Sequence, residues 1–176
     1  MNILNIEIKA WCNDPGYIEK ILLLRNARFA GIDHQIDTYF HSPDGRLKLR
    51  EGNIERSLIH YNRIEIKDLK KSEVLIYKPP GDTTSLKKIL EKNLGIKVIV
   101  NKKRKIYFID NVKFHLDTID GLGSFVEIEA IDDTLQLGEE KLRAQCQMYM
   151  KLFKIRNSEL IDRSYSDMIL ELNQGI

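Results

Sequence analysis

Across residues 2–11 apolar and polar positions alternate. Leu4, Ile6, Ile8 and Ala10 fall on one side, and Asn5, Glu7, Lys9 and Trp11 on the other. A period of two predicts a β-strand with one ionic face. Asp14-Pro15 then supplies a helix start, with Asp14 as N-cap and Pro15 as the first helical residue. Ile18, Ile21 and Leu22 continue at helical spacing as far as Ala27. Short strand-like segments follow at 34–40, 46–50, 57–66 and 72–78. Ser42-Pro43-Asp44-Gly45 and Glu51-Gly52-Asn53 separate them, and Pro79-Pro80-Gly81 ends the series. Turns this tight predict antiparallel neighbours.

Residues 83–94 read as a second helix, with Leu86, Ile89, Leu90 and Leu94 at helical intervals and Gly95 as the stop. Three further strands are expected at 97–110, 112–119 and 124–131, turning at Asn111 and at Asp120-Gly121-Leu122-Gly123. After Thr134 the period lengthens again. Leu135, Leu142, Cys146, Tyr149 and Leu152 or Phe153 form an apolar stripe, and a last short helix covers 164–172. About eight strands with three or four helices, and no internal repeat or linker, predict one α+β domain over 1–176, dominated by a single sheet.

Several predicted strands carry ionic groups at i and i+2: Glu7 and Lys9, Lys48 and Arg50, Lys102 and Arg104, His115 and Asp117, Glu127 and Glu129. Strand by strand, the ordinary explanation is a solvated sheet face. As a set they are sorted by sign, with carboxylates on the first and last strands and basic groups on the middle ones. A closed sheet would turn these faces inward. Buried charges need partners or a ligand, and a polyphosphate with Mg²⁺ or Mn²⁺ meets that need. Arg and Lys neutralise phosphate oxygens, and Glu and Asp supply the hard oxygen ligands these metals take.

Composition narrows the classes. The chain has 176 residues, and 28 basic residues nearly balance 26 acidic ones. A net charge of +2 is unlike that of a simple nucleic-acid binder, so no nucleic-acid partner is expected. Lys102 to Lys105 splits its charges between two strand faces. Cys12 and Cys146 lack metal-ligand spacing and are expected as free thiols in a reducing compartment. The first residues do not read as a signal peptide, and no apolar run approaches the roughly 20 residues of a membrane span. The expectation is a cytoplasmic protein with no membrane partner.

The blocks Ile6-Glu7-Ile8-Lys9, Gln35-Ile36-Asp37-Thr38-Tyr39-Phe40, Gly45-Arg46-Leu47-Lys48-Leu49-Arg50-Glu51, Leu58 to Arg63, Lys102-Lys103-Arg104, His115-Leu116-Asp117 and Gly121-Leu122-Gly123-Ser124-Phe125-Val126-Glu127-Ile128-Glu129 resemble, in this order, the CYTH superfamily of triphosphate tunnel metalloenzymes. Asp-Thr-Tyr-Phe, Leu-Lys-Leu-Arg and Gly-Leu-Gly-x-Phe-Val-Glu-Ile-Glu are most similar to the class IV adenylyl cyclase branch.

The resemblance implies an eight-stranded antiparallel β-tunnel, a barrel with flanking helices. It implies that Lys9, Lys48, Arg50, Arg63, Lys102 and Arg104 hold the triphosphate, that Glu7, Glu127 and Glu129 hold Mg²⁺ or Mn²⁺, and that Asp117, Arg63 and Arg104 serve catalysis. Asp117 is read either as a ligand or as a positioner of basic groups. The family opens on Glu-x-Glu-x-Lys, whereas Asn5 stands at its first Glu here. Asn offers a neutral carbonyl oxygen without charge. Either one metal site is weaker or different, or Asn5 is tolerated.

Three activities follow from this reading. ATP would be cyclised to cyclic AMP and pyrophosphate. Alternatively, inorganic or thiamine triphosphate would be hydrolysed. In the third case the chain would bind nucleotide or polyphosphate with little turnover. The C-terminal helices are candidates for closing the tunnel or for a homodimer contact.

Overall fold

The computed structural model describes residues 4–66 and 69–175, with side chains described outside 63–73. Eight strands and four helices run β1 (Leu4–Trp11), α1 (Pro15–Leu24), β2 (Arg28–Phe40), β3 (Arg46–Glu51), β4 (Arg56–Ile66), β5 (Leu69–Tyr77), α2 (Thr84–Leu94), β6 (Ile96–Ile109), β7 (Val112–Ile119), β8 (Gly123–Asp132), α3 (Glu139–Leu152) and α4 (Tyr165–Gln174). The strands are hydrogen-bonded in the order β1-β8-β7-β6-β2-β3-β4-β5, and the pairs β1–β8, β2–β3, β3–β4 and β4–β5 are antiparallel. The expected eight-stranded antiparallel sheet with flanking helices is therefore present. The chain divides into two compact units, and β2 and β6 each contribute residues to both.

The first unit comprises residues 1–32, 104–118 and 123–162. Its sheet has one apolar face, to which β8 gives Val126, Ile128 and Ala130, all buried. Helix α3 packs on β1 and β8 through Leu142, Cys146 and Tyr149. Phe114 meets Tyr149 and Phe153 edge-on, with ring centroids 4.7 and 5.7 Å apart. Trp11 lies tilted on Phe125 at 4.5 Å, so this strand-end indole is a packing residue. Both cysteines are buried free thiols, as expected.

Two helix boundaries in this unit differ from the sequence pattern. Helix α1 ends at Leu24 rather than running to Ala27, because Asn26 takes a left-handed φ of 56° that closes the helix. Leu135 does not join the stripe of α3. It has φ 57° and is 59% exposed. The carboxylate of Asp132 accepts hydrogen bonds from the backbone N–H groups of Gln136, Leu137 and Gly138, which builds a capped turn and delays the helix to Glu139.

The second unit comprises residues 33–103, 119–122 and 163–176. It holds β3, β4, β5, α2, α4 and the remaining parts of β2 and β6. Strand β2 begins at Arg28, six residues before the expected 34, and its burial is inverted. Asp33, Gln35, Asp37 and Tyr39 are buried while Ile36 is 40% exposed. Asp33 explains part of this inversion. Its carboxylate accepts hydrogen bonds from the N–H groups of Ile54 and Glu55 and fixes the β3–β4 turn, where Gly52 leaves no room for a Cβ beside it. Helix α4 starts on a capping box of Ser164 and Asp167. Among the described residues no helix is long and apolar enough to cross a membrane.

Candidate functional site

Most ionic groups on these strand faces are buried or half-buried, whereas Glu7 is exposed. Lys9, Arg104, His115, Asp117 and Glu127 are all buried in the first unit, and Asp37 and Lys102 in the second. Each unit organises its charges around one buried carboxylate.

In the first unit that carboxylate is Glu127, on the face of β8 opposite α3. Its Oε1 lies 3.1 Å from Lys9 Nζ. Its Oε2 accepts from Arg104 Nη2 at 2.8 Å and lies 2.9 Å from His115 Nδ1. Arg104 also grips Asp117 bidentately, through Nε at 2.6 Å and Nη2 at 2.5 Å. Asp117 is 1% exposed, and this fork geometry fixes the orientation of the Arg104 guanidinium. Burial opposes ionisation of Glu127, but Arg104 and Lys9 outweigh it and hold the carboxyl well below its ordinary range. Burial likewise opposes the charge on Lys9, and Glu127 and Glu7 more than restore it. For His115 the pull of the Glu127 carboxylate is too weak to offset burial. Burial, with Arg104 nearby, pushes it down to about 4, so it is neutral at pH 7.

Glu7 and Glu129 form a separate pair on the same face. They are direct partners in the β1–β8 register, and like charges placed opposite one another repel. Burial and the Glu7 charge push Glu129 up to about 6. The Asn5 amide Nδ2 donates to Glu129 Oε1, while Asn5 Oδ1 is buried with no hydrogen-bond partner. Lys9 Nζ lies 3.8 Å from Glu7. Among the described residues no group of three His, Cys, Asp or Glu side chains forms a metal-ligand set. What β1 and β8 offer a divalent cation is two carboxylates, Glu7 and Glu129, and the unsatisfied oxygen of Asn5. These are hard oxygen donors of the type Mg²⁺ and Mn²⁺ take. Glu127, occupied by three basic groups, is placed differently from these two.

In the second unit the buried carboxylate is Asp37. Lys48 Nζ donates to Oδ2 at 2.9 Å and Lys102 Nζ at 3.0 Å. Arg50 binds both oxygens, Nε at 2.8 Å and Nη2 at 2.9 Å, and its Nη1 reaches Glu55 at 2.8 Å. Burial opposes the Asp37 charge, yet Lys48, Lys102 and Arg50 hold the carboxyl well below its usual range. Burial and the neighbouring Arg50 lower Lys48 against the pull of Asp37. Arg46 shares the strand face of Lys48 and Arg50 by alternation but is spent elsewhere. It bonds Ser164 at 2.5 Å and Asp167 at 2.9 Å, anchoring the start of α4.

The structure thus brings together Glu7, Lys9, Arg104, Asp117, Glu127 and Glu129 within one unit, and Lys48, Arg50 and Lys102 within the other. Arg63, expected to hold phosphate and to serve catalysis, lies outside the residues whose side chains are described. Sequence reasoning singled out neither Asp37, around which the basic residues of the second unit gather, nor the contact of Asn5 with Glu129. The signal for Asp37 was its place in the period-two series Asp33, Gln35, Asp37, which marks a polar inner face.

Comparison with known proteins agrees with this architecture. The CYTH domain family matches residues 4–165. A protein of Methanocaldococcus jannaschii named "putative adenylate cyclase" is 24% identical over 178 residues, covering 94% of this chain and 98% of that one. A solved protein of Pyrococcus horikoshii superposes with TM-score 0.80 at 21% identity, covering 93% of this chain and 98% of its own. One from Hippeastrum, described by its dominant triphosphatase activity, superposes with TM-score 0.59 at 14% identity, covering 94% and 93%.

Proposed function

The chain belongs to the CYTH domain family, and from that premise we propose that it is a metal-dependent enzyme of triphosphates that converts ATP to cyclic AMP and pyrophosphate. The observation that carries this reading is the convergence of Lys48, Arg50 and Lys102 on the single buried carboxylate of Asp37. Long cationic side chains held together in a buried position can exchange that carboxylate for phosphate oxygens at little cost in ordering, and Arg50 can bind them bidentately.

In the reaction the ribose 3′-oxygen forms a bond to the α-phosphorus. The bond from that phosphorus to the oxygen bridging the α- and β-phosphates breaks, pyrophosphate leaves, and the hydroxyl proton passes to solvent. Lys48, Arg50 and Lys102 bind the phosphate oxygens and stabilise charge that grows on the leaving pyrophosphate. Within the first unit Arg104, oriented by Asp117 and Glu127, is likewise a preorganised cation suited to phosphoryl oxygens. Glu7 and Glu129, with the Asn5 oxygen, would hold Mg²⁺ or Mn²⁺, which supplies Lewis-acid polarisation of phosphoryl oxygens when bound. The class IV cyclase reading is supported by the Gly121 to Glu129 block and by the name of the M. jannaschii relative.

The triphosphatase activity of the Hippeastrum protein supports a second reading, in which water attacks the terminal phosphorus of inorganic or thiamine triphosphate. Incubation of the purified chain with ATP, inorganic triphosphate and thiamine triphosphate, each with Mg²⁺ or Mn²⁺, separates the readings. Cyclic AMP with equimolar pyrophosphate is the expected result. Orthophosphate without cyclic AMP replaces the cyclase by the triphosphatase, and binding without products removes both.

A further inference from the structure

In the first unit Glu127 is surrounded by basic groups, whereas Glu7 and Glu129 face each other and share little of that charge, Lys9 lying 3.8 Å from Glu7 but 3.1 Å from Glu127. Two carboxylates face each other in register on β1 and β8, and the group that reaches Glu129 is a neutral amide, Asn5 Nδ2. That hydrogen bond gives one Glu129 oxygen a donor, as a cation would, but brings no charge. The amide oxygen left over is buried and unsatisfied, which is a cost unless something else uses it.

Among the described residues, a free divalent ion arriving here meets two carboxylates and one neutral amide oxygen. One carboxylate is already hydrogen-bonded, and Lys9 lies 3.8 Å from the other. The next carboxylate on the face, Glu127, is committed to Lys9, Arg104 and His115. Affinity for hard divalent ions rises with the number of ligand charges, and Mg²⁺ is typically held by one or two carboxylates together with substrate phosphates.

We propose that Asn5 makes the Glu7–Glu129 pair a weak site for the free cation, so that the metal is taken up together with the triphosphate. In the cation-free chain the Asn5 amide holds Glu129 in place. When the metal–triphosphate complex binds, the phosphate oxygens supply the charge that a third carboxylate would otherwise give. The inference rests on the triphosphate reading above and adds to it an order of assembly and a residue that sets it.

Equilibrium dialysis of metal-stripped protein against Mn²⁺, with or without an ATP analogue carrying a methylene bridge between its α- and β-phosphates, reads the effect without any turnover. The wild-type chain is expected to retain Mn²⁺ only with the analogue, the apparent affinity rising by about tenfold or more, which corresponds to about 1.4 kcal/mol. Asn5→Glu is expected to retain Mn²⁺ alone, to melt lower than wild type in EDTA and to recover when Mn²⁺ is added. Asn5→Asp serves if the glutamate variant does not fold, with the same expected direction.

Tight retention of Mn²⁺ by the wild type without the analogue overturns this inference and leaves the proposed function standing. No retention under either condition overturns both. Absence of any gain in affinity in both Asn5 variants removes the role given to Asn5.

Discussion

The two units use one device with opposite surroundings. Glu127 in the first and Asp37 in the second are each a buried carboxylate receiving three basic side chains. Around Glu127 stand further carboxylates, Asp117, Glu7 and Glu129, and one of its three basic partners, His115, is neutral at pH 7. Around Asp37 all three partners are cations, and Glu55 meets one of them, Arg50. The first cluster therefore leans acidic and suits a cation, and the second leans basic and suits phosphate. The difference teaches that burial of charge does not by itself identify a ligand. The sign left after each central carboxylate is satisfied does.

That contrast predicts unequal costs for removing an arginine, and here the largest effect is expected. Arg104 compensates two buried carboxylates at once, so Arg104→Ala leaves Asp117 and Glu127 short of charge and is expected to lose about 3–5 kcal/mol of stability. Urea denaturation measures it. A loss below about 1 kcal/mol would mean that Asp117 and Glu127 are not held by Arg104, and the first cluster would need another account.

The second effect is a pH dependence confined to the first cluster. The folded-state pKa of His115 lies at about 4, below its ordinary 6.5. The unfolded chain therefore binds the extra proton between those values. The contribution of His115 to stability is complete above pH 6.5 and is lost as pH falls toward 4, with a span of about 3 kcal/mol. Asp37 is held well below its ordinary value, so its contribution persists through this window and falls away only at lower pH. Comparing His115→Gln with wild type from pH 7.5 to 4.5 isolates the effect, because Glu129 titrates in both proteins. Parallel stability curves would show that His115 does not titrate as its burial requires.

Much of this contrast was legible in the sequence, and the part that was not has a physical cause. Pairs at i and i+2, such as Lys102 and Arg104 or Glu127 and Glu129, announce a polar strand face because side chains alternate in a strand whatever its surroundings. Asp37 escaped because its strand buries Asp33, Gln35 and Asp37 and exposes Ile36, the reverse of the usual partition. The cations that Asp37 gathers from β3 and β6, and the backbone N–H groups that Asp33 holds, explain that inversion, and such long-range pairing is invisible to a local window. The start of α3 was misplaced for a similar reason. Asp132 caps a turn four to six residues ahead of it, which no apolar stripe records. The contact of Asn5 with Glu129 joins the first and last strands of the sequence and required the β1–β8 register.

A third effect runs against intuition, because removing a charge should stabilise. Glu129 sits opposite Glu7 and is pushed up to about 6 by burial and by that neighbour. A carboxyl whose folded pKa is raised contributes stability below its unfolded value near 4.5 and loses it as pH rises through 6. At pH 7.5 and without metal, Glu129→Gln is expected to gain up to about 2 kcal/mol, since the glutamine keeps an oxygen for the Asn5 amide and drops the repulsion. Calorimetry in EDTA measures the gain. A loss of stability would indicate that the Glu129 charge is compensated in the folded chain.

The smallest effect on stability belongs to the second unit and completes the contrast. Arg50→Ala removes one of three cations from Asp37, and Lys48 and Lys102 remain within 3.0 Å of its Oδ2. The carboxylate keeps its compensation, so the expected loss is about 1 kcal/mol, near that of a single ordinary hydrogen-bonded contact. Removing Arg50 also reduces the like-charge crowding that lowers Lys48, which offsets part of the loss. Activity is expected to respond otherwise. Arg50 is the bidentate member of the cluster, so its removal should cut turnover of the triphosphate by a hundredfold or more, about 2.7 kcal/mol in the barrier. The discriminating measurement is the pair of numbers from one preparation, urea midpoint and kcat/KM. If the midpoint falls as far as it does for Arg104→Ala, the arginines of both units are structural, and the distinction drawn between a cation-leaning and a phosphate-leaning cluster collapses.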